Sequence, residues 1–111
     1  AERDRPLEAA GLLLDAGEPE KAARMLLSLP ESVTKSVEPR AMLGILSRLG
    51  TVTDSEPGLL LLRANGAAQL GRLDQVVEDV DRAAALVRHA DPPVRRRVEA
   101  AVARTEFFRG R

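Results

Sequence analysis

The sequence predicts an all-α fold of antiparallel helical hairpins. Apolar residues recur along the chain at the three- and four-residue spacing that places them on one face of a helix. Glycines and prolines divide this pattern into about six helical segments. The connections at residues 16–18 and 71–72 are so short that the helices on either side must run antiparallel. No segment alternates apolar and polar residues between turn signals, so no strand is expected.

The first two helices are predicted at residues 6–16 and 19–29. Gly17 follows the first apolar run, and glycine often ends a helix because it adopts the left-handed conformation at little cost. Pro19 suits the first turn of a helix, where a backbone N–H is not needed. The polar residues 31–38 that follow are predicted to be a loop or a single turn. The second helix has its apolar residues on one face: Ala22, Met25, Leu26 and Leu29.

The middle of the chain predicts two further helices. The third starts near Pro39 and is closed by Gly50, and a polar linker with capping residues follows at residues 51–56. The fourth covers residues 57–70 and is apolar nearly all round, which predicts burial on several sides. Gly66 lies inside it at a cost of about 1 kcal/mol relative to alanine. We expect Gly66 to let a neighbouring helix approach closely.

The last two helices follow Gly71 and the Asp-Pro-Pro sequence at residues 91–93, which ends one helix and starts the next. The fifth has an apolar stripe from Leu73 to Val87. The sixth aligns five residues on one face: Val94, Val98, Ala101, Thr105 and Phe108. Because the chain has two phenylalanines and no Trp or Tyr, its core must be built from Leu, Val and Ala.

The composition argues against several classes of protein. Lys+Arg and Asp+Glu are both 17, so the formal net charge is zero, whereas nucleic-acid and anionic-membrane binders usually have a positive excess. The absence of cysteine excludes disulfides and thiolate metal sites and fits a cytoplasmic location. No apolar run reaches the roughly 20 residues of a membrane span, and we expect no signal peptide. We expect no cofactor, no membrane and no direct nucleic-acid contact.

The stretches around Gly17 and Gly71 are similar to each other. Both have a helix, a glycine turn and a second helix, an order that resembles the tetratricopeptide repeat. This resemblance implies a short right-handed solenoid of stacked hairpins. The copies lie 54 residues apart rather than about 34 and lack the bulky aromatics of that repeat, so the units are degenerate. Aligning the two glycines places Ala22 over Val76 and Leu26 over Val80.

A longer resemblance covers roughly residues 15–111. The order of segments, with Leu-Leu-Arg-Ala at residues 61–64 and Leu-Gly-Arg-Leu-Asp at residues 70–74, resembles the helical-repeat region of large ATP-binding LuxR-type (MalT-like) transcriptional regulators. The resemblance implies a sensor region that binds a small-molecule inducer or a partner protein and relays this to an ATPase and a DNA-binding domain. The phosphate-loop motif of such an ATPase is absent. We therefore expect residues 1–111 to be one helical-repeat domain from a larger multidomain regulator.

Two other classes of function are alternatives to the sensor. A generic tetratricopeptide-like scaffold for protein–protein interaction, from another multidomain protein, stays open. An enzyme is not expected, because the sequence shows no catalytic motif that would combine acids such as Glu78, Asp79 and Asp81 with a nucleophile, a histidine or a glycine-rich loop. If neighbouring repeats normally cover part of the chain, the apolar surface that they leave should cause self-association.

The candidate ligand or partner groove is formed by Leu61, Asn65, Ala68 and Gln69. In the tetratricopeptide geometry that the resemblance implies, first-helix residues of this phase line the concave surface. Asn65 and Gln69 are four residues apart on an otherwise apolar helix, and a bound molecule could satisfy their amides. The alternative is that both amides face solvent or bond to a neighbouring helix.

Two remaining features have structural explanations. His89 is the only histidine and lies near the end of the fifth helix, where a cation suits the helix dipole. Residues 95–97 are three consecutive arginines, which could contact DNA. They avoid the apolar stripe of the sixth helix, so a solvated face is favoured.

Overall fold

The computed structural model describes residues 5–89 and 91–109, with side chains at 5–88 and 91–106. The described part contains α-helices and one 3-10 turn, Val87–His89, and no strand, so the all-α prediction is confirmed. The helices are α1 Arg5–Asp15, α2 Pro19–Leu27, α3 Glu31–Ser36, α4 Pro39–Leu49, α5 Thr51–Asp54, α6 Pro57–Gln69, α7 Leu73–Leu86 and α8 Pro92–Arg109.

The count of about six helices needs correction, because the described residues form eight. The two additional helices are α3, where a loop or single turn was predicted, and α5, inside the predicted linker. Both are too short to show an apolar period, and local bonds hold them. The Thr34 hydroxyl donates to the Glu31 carbonyl at 2.9 Å. The fully buried Thr53 hydroxyl donates to the Leu46 carbonyl at 2.8 Å and ties α5 to α4.

The turns after α1 and α6 have the same geometry. Gly17 and Gly71 have φ angles of 75° and 73°. In each turn the residue after the glycine donates to the carbonyl five residues earlier at 2.9 Å, which is the bond that defines a Schellman motif. The four residues that the glycine alignment superimposed are all buried: Ala22, Leu26, Val76 and Val80. The two hairpins α1–α2 and α6–α7 are therefore built on one local pattern.

Helix α6 lies at the centre of the packing. Its most extensive contact is with α7, and it also contacts α2, α4, α5 and α8. Leu59 and Leu62 join the core formed with α1, α2 and α4. Leu60 packs in a separate cluster with α7 and α8 residues. The predicted burial of this helix on several sides is confirmed, and eight of its residues are buried.

Gly66 has the role that its position predicts. A Cβ atom at Gly66 would lie 3.2 Å from Leu43 Cδ2 and 3.6 Å from the Pro39 carbonyl oxygen. The absence of a side chain therefore lets α4 pack closely on α6.

We predict that Gly71→Ala lowers the free energy of unfolding by about 1–2 kcal/mol, since alanine is strained at positive φ. Gly44→Ala is the matched control. Gly44 is exposed inside α4, and an added Cβ would meet no neighbouring group within 4 Å, so alanine should raise the free energy of unfolding by about 0.5–1 kcal/mol. Urea denaturation followed by circular dichroism measures both. Equal effects of the two substitutions would contradict the turn geometry.

Candidate functional site

A buried ion pair joins α6 to α7. The Asp79 side chain is 1% exposed and accepts bonds from Arg63 Nε at 3.1 Å to each carboxylate oxygen and from Arg63 Nη2 at 2.8 Å. Gln75 Nε2 also donates to Asp79 Oδ1 at 2.8 Å. Arg63 Nη2 reaches Asp54 Oδ1 at 3.1 Å and so connects α5 to the same network. A buried carboxylate is tolerated only when it is paired and bonded in this way.

The network keeps Arg63 charged. The hydrogen bond to Asp79 raises the pKa of the guanidinium above its ordinary value, although burial acts in the opposite direction.

The sequence interpretation treats Asp79, the partner of Arg63, only as one of several acids on the fifth helix. A signal was present, because Asp79 lies three residues after Val76 and four before Ala83, on the buried face. An acid at such a position predicts a buried cationic partner.

A cleft of about 440 Å³ lies between α3, α6 and α8. Its apolar lining comes mainly from α6 and α8 and includes one residue of α7: Leu61, Leu62, Ala64, Ala68, Val76, Ala100 and Ala101. Its polar lining comes from all three helices around it: Glu31, Thr34, Lys35, Asn65, Arg97, Arg104 and Thr105. The cleft has the size of a small-molecule site, and apolar and polar residues contribute equally to its lining.

The structure places three of the four predicted groove residues in this cleft. Leu61, Asn65 and Ala68 line it. Gln69 does not; it lines a much smaller hollow beside Pro39 and Met42 of α4. Asn65 and Gln69 are both exposed, as the alternative explanation of these amides allows. A role of these residues in binding stays a prediction.

Arg97 and Arg104 of α8 also line the cleft, and no pattern in the sequence places them beside α6. Arg95, Arg96 and Arg97 are exposed, as predicted for a solvated face, yet only Arg97 of the three lines the cleft. Neither Arg97 nor Arg104 forms an ion pair with a described side chain. On α3, Lys35 Nζ lies 3.2 Å from Glu31 Oε1, so the opposite charges of these two side chains offset each other.

The hydroxyl groups that line the cleft are engaged in local hydrogen bonds. They belong to Thr34 and Thr105, and each donates to a carbonyl of its own helix at 2.9 Å. Within residues whose side chains are described, no group of three or more His, Cys, Asp or Glu could hold a metal ion. The side chain of His89 lies outside the described residues, and its proposed role at a helix end stays a prediction.

Two surface properties complete the description. None of the described helices is long and apolar enough to cross a membrane. Leu12 on α1 is the most exposed large apolar residue of the described part, at 69%, followed by Leu73 and Leu27.

Comparisons with protein-family models, with curated proteins and with solved structures find no match to this chain.

We predict that Asp79→Ala lowers the free energy of unfolding by about 2–3 kcal/mol, because it leaves the partly buried Arg63 without its main partner. Glu78→Ala is the matched control. Glu78 is the preceding residue of α7 and is exposed, so its removal should change stability by less than about 0.5 kcal/mol. Chemical denaturation of the two variants tests this. A loss in Asp79→Ala no larger than in the control would exclude a structural role for the pair.

Proposed function

We propose that the chain is a tetratricopeptide-like interaction module that binds an inducer or a partner in the cleft between α3, α6 and α8. One observation carries the proposal. Leu61, Asn65 and Ala68, which share a phase on one helix, line a cleft together with residues from three other helices, α3, α7 and α8. Concave sites of this size, with apolar surface and converging polar groups, are typical of ligand binding.

The order of helix contacts supports a solenoid arrangement. Helix α1 contacts α4, α4 contacts α6, and α6 contacts α8, while α2 and α7 pair with α1 and α6 as hairpin partners. The identical glycine turns after α1 and α6 fit two degenerate copies of one repeat unit. In a stack of this kind the first helices of successive units form one continuous surface, and the cleft lies on α6 and α8 of that series.

We further propose that this module is the sensor region of a LuxR-type (MalT-like) transcriptional regulator. Two short sequence motifs of the resemblance support this proposal, and each coincides with a structural feature. Leu-Leu-Arg-Ala contains Arg63 of the buried ion pair. Leu-Gly-Arg-Leu-Asp contains the Gly71 turn. Ligand occupancy would then bias the position of α8 relative to α6 and be relayed to the ATPase and DNA-binding domains.

Leu12 marks the surface on which a further repeat or a second copy would pack.

The test is a ligand-observed NMR screen of the chain with a library of small molecules and short peptides. Ala68→Phe should raise the dissociation constant of cleft ligands at least about tenfold by occupying the cleft. Ala103→Phe is the matched control, because Ala103 is exposed on α8 and does not line the cleft. Asn65→Ala should weaken binding of polar ligands, whereas Gln69→Ala should not.

Circular dichroism melting of the same variants separates loss of binding from loss of fold. Ligands that bind Ala68→Phe as tightly as the unmodified chain would place the binding site elsewhere and overturn the proposal. If cleft ligands change the transcriptional or ATPase activity of the full-length protein, the module is a sensor. If they change neither activity, the generic scaffold is favoured.

A further inference from the structure

The charges around the cleft are unbalanced. Four charged side chains line it, and Glu31 and Lys35 pair with each other at 3.2 Å. Arg97 and Arg104 remain, and they have no ion-pair partner in the described part of the chain. The unpaired charge at this cleft is therefore positive, although the chain as a whole has a formal net charge of zero.

The two arginines stand at opposite ends of an apolar strip. They are seven residues apart on α8, which is about two helical turns or roughly 10 Å along the axis, so they share a face. Ala100 and Ala101 line the cleft between them. Guanidinium groups bind carboxylates and similar anions through two parallel hydrogen bonds.

The floor of the cleft is aliphatic. Leu61, Leu62, Ala64 and Val76 line it among the described side chains. Such a surface suits a saturated carbon chain, since it offers dispersion contacts along the whole chain.

The volume suits a small molecule. About 440 Å³ lies within the range of small-molecule sites, which runs from about 300 to 1,000 Å³. The cleft is also far larger than an inorganic anion needs.

Resting on the proposed function, we propose that the ligand of this cleft is a small organic anion with an aliphatic body, such as a medium-chain carboxylate. Its head group binds the guanidinium of Arg97 or Arg104, and its chain lies on the floor formed by α6. The positive charge selects against neutral molecules of the same shape.

The experiment titrates the isotope-labelled chain with sodium octanoate and, separately, with 1-octanol, and follows backbone amide shifts. Octanoate should shift amides of α6 and α8 that line the cleft, and 1-octanol should bind at least about tenfold more weakly, as expected for loss of a charge-assisted hydrogen bond. The Arg97→Gln, Arg104→Gln double variant should lose at least about tenfold in octanoate affinity.

The matched control is Arg95→Gln with Arg96→Gln, which removes the same charge from exposed positions of α8 that do not line the cleft. Its octanoate affinity should stay within about twofold of the unmodified chain. Equal binding of 1-octanol, or equal losses in the two double variants, would overturn the selection for anions while leaving the cleft as a binding site.

Absence of octanoate shifts in the cleft would also overturn this inference. The proposed function is then decided separately by the library screen, which includes neutral molecules and peptides. A neutral ligand or an acidic peptide that binds the cleft while octanoate does not would retain the module and reject the small aliphatic anion.

Discussion

The buried pairing of Arg63 with Asp79 is the constraint on which the arrangement of α6 and α7 depends. A carboxylate that is 1% exposed destabilises the fold unless a cation and further donors satisfy it, and here Arg63 and Gln75 do so. The bidentate geometry favours the observed register of the two helices. Because Arg63 also binds Asp54, the same side chain positions α5. The floor of the cleft includes Leu61 and Val76, so its shape depends on this register.

The composition of the core explains why such a constraint matters. Leu, Val and Ala side chains pack closely but interlock less specifically than large aromatics, and faces made of them fit in more than one register. Because Gly66 has no side chain, α4 and α6 can pack closely at this point. Close packing alone does not fix how the helices are oriented. We infer that the ion pair supplies the orientation. Polar groups that fix register at some cost in stability are the best supported role for buried charges.

Much of the fold follows from the sequence, but the cleft follows only in part. Gly17, Gly71 and the spacing of Leu and Ala predicted the hairpins, because glycine conformation and helical period are local properties. Helices α3 and α5 were missed because hydroxyl-to-carbonyl bonds, such as that of Thr53, form them without an apolar period. Phase on one helix pointed to Leu61, Asn65, Ala68 and Gln69, of which the first three line the cleft and Gln69 does not. Arg97 and Arg104 reach the cleft through tertiary packing of α8, which no local pattern encodes.

A double-mutant cycle with Arg63→Met and Asp79→Leu tests most directly whether the ion pair fixes α6 against α7. The free energies of unfolding of the unmodified chain, both single variants and the double variant give the coupling energy between the two positions. We expect a coupling of about 2 kcal/mol, with the double variant more stable than the Asp79→Leu single variant, because it no longer strands a guanidinium. Effects that add to within about 0.5 kcal/mol would contradict the central role of the pair.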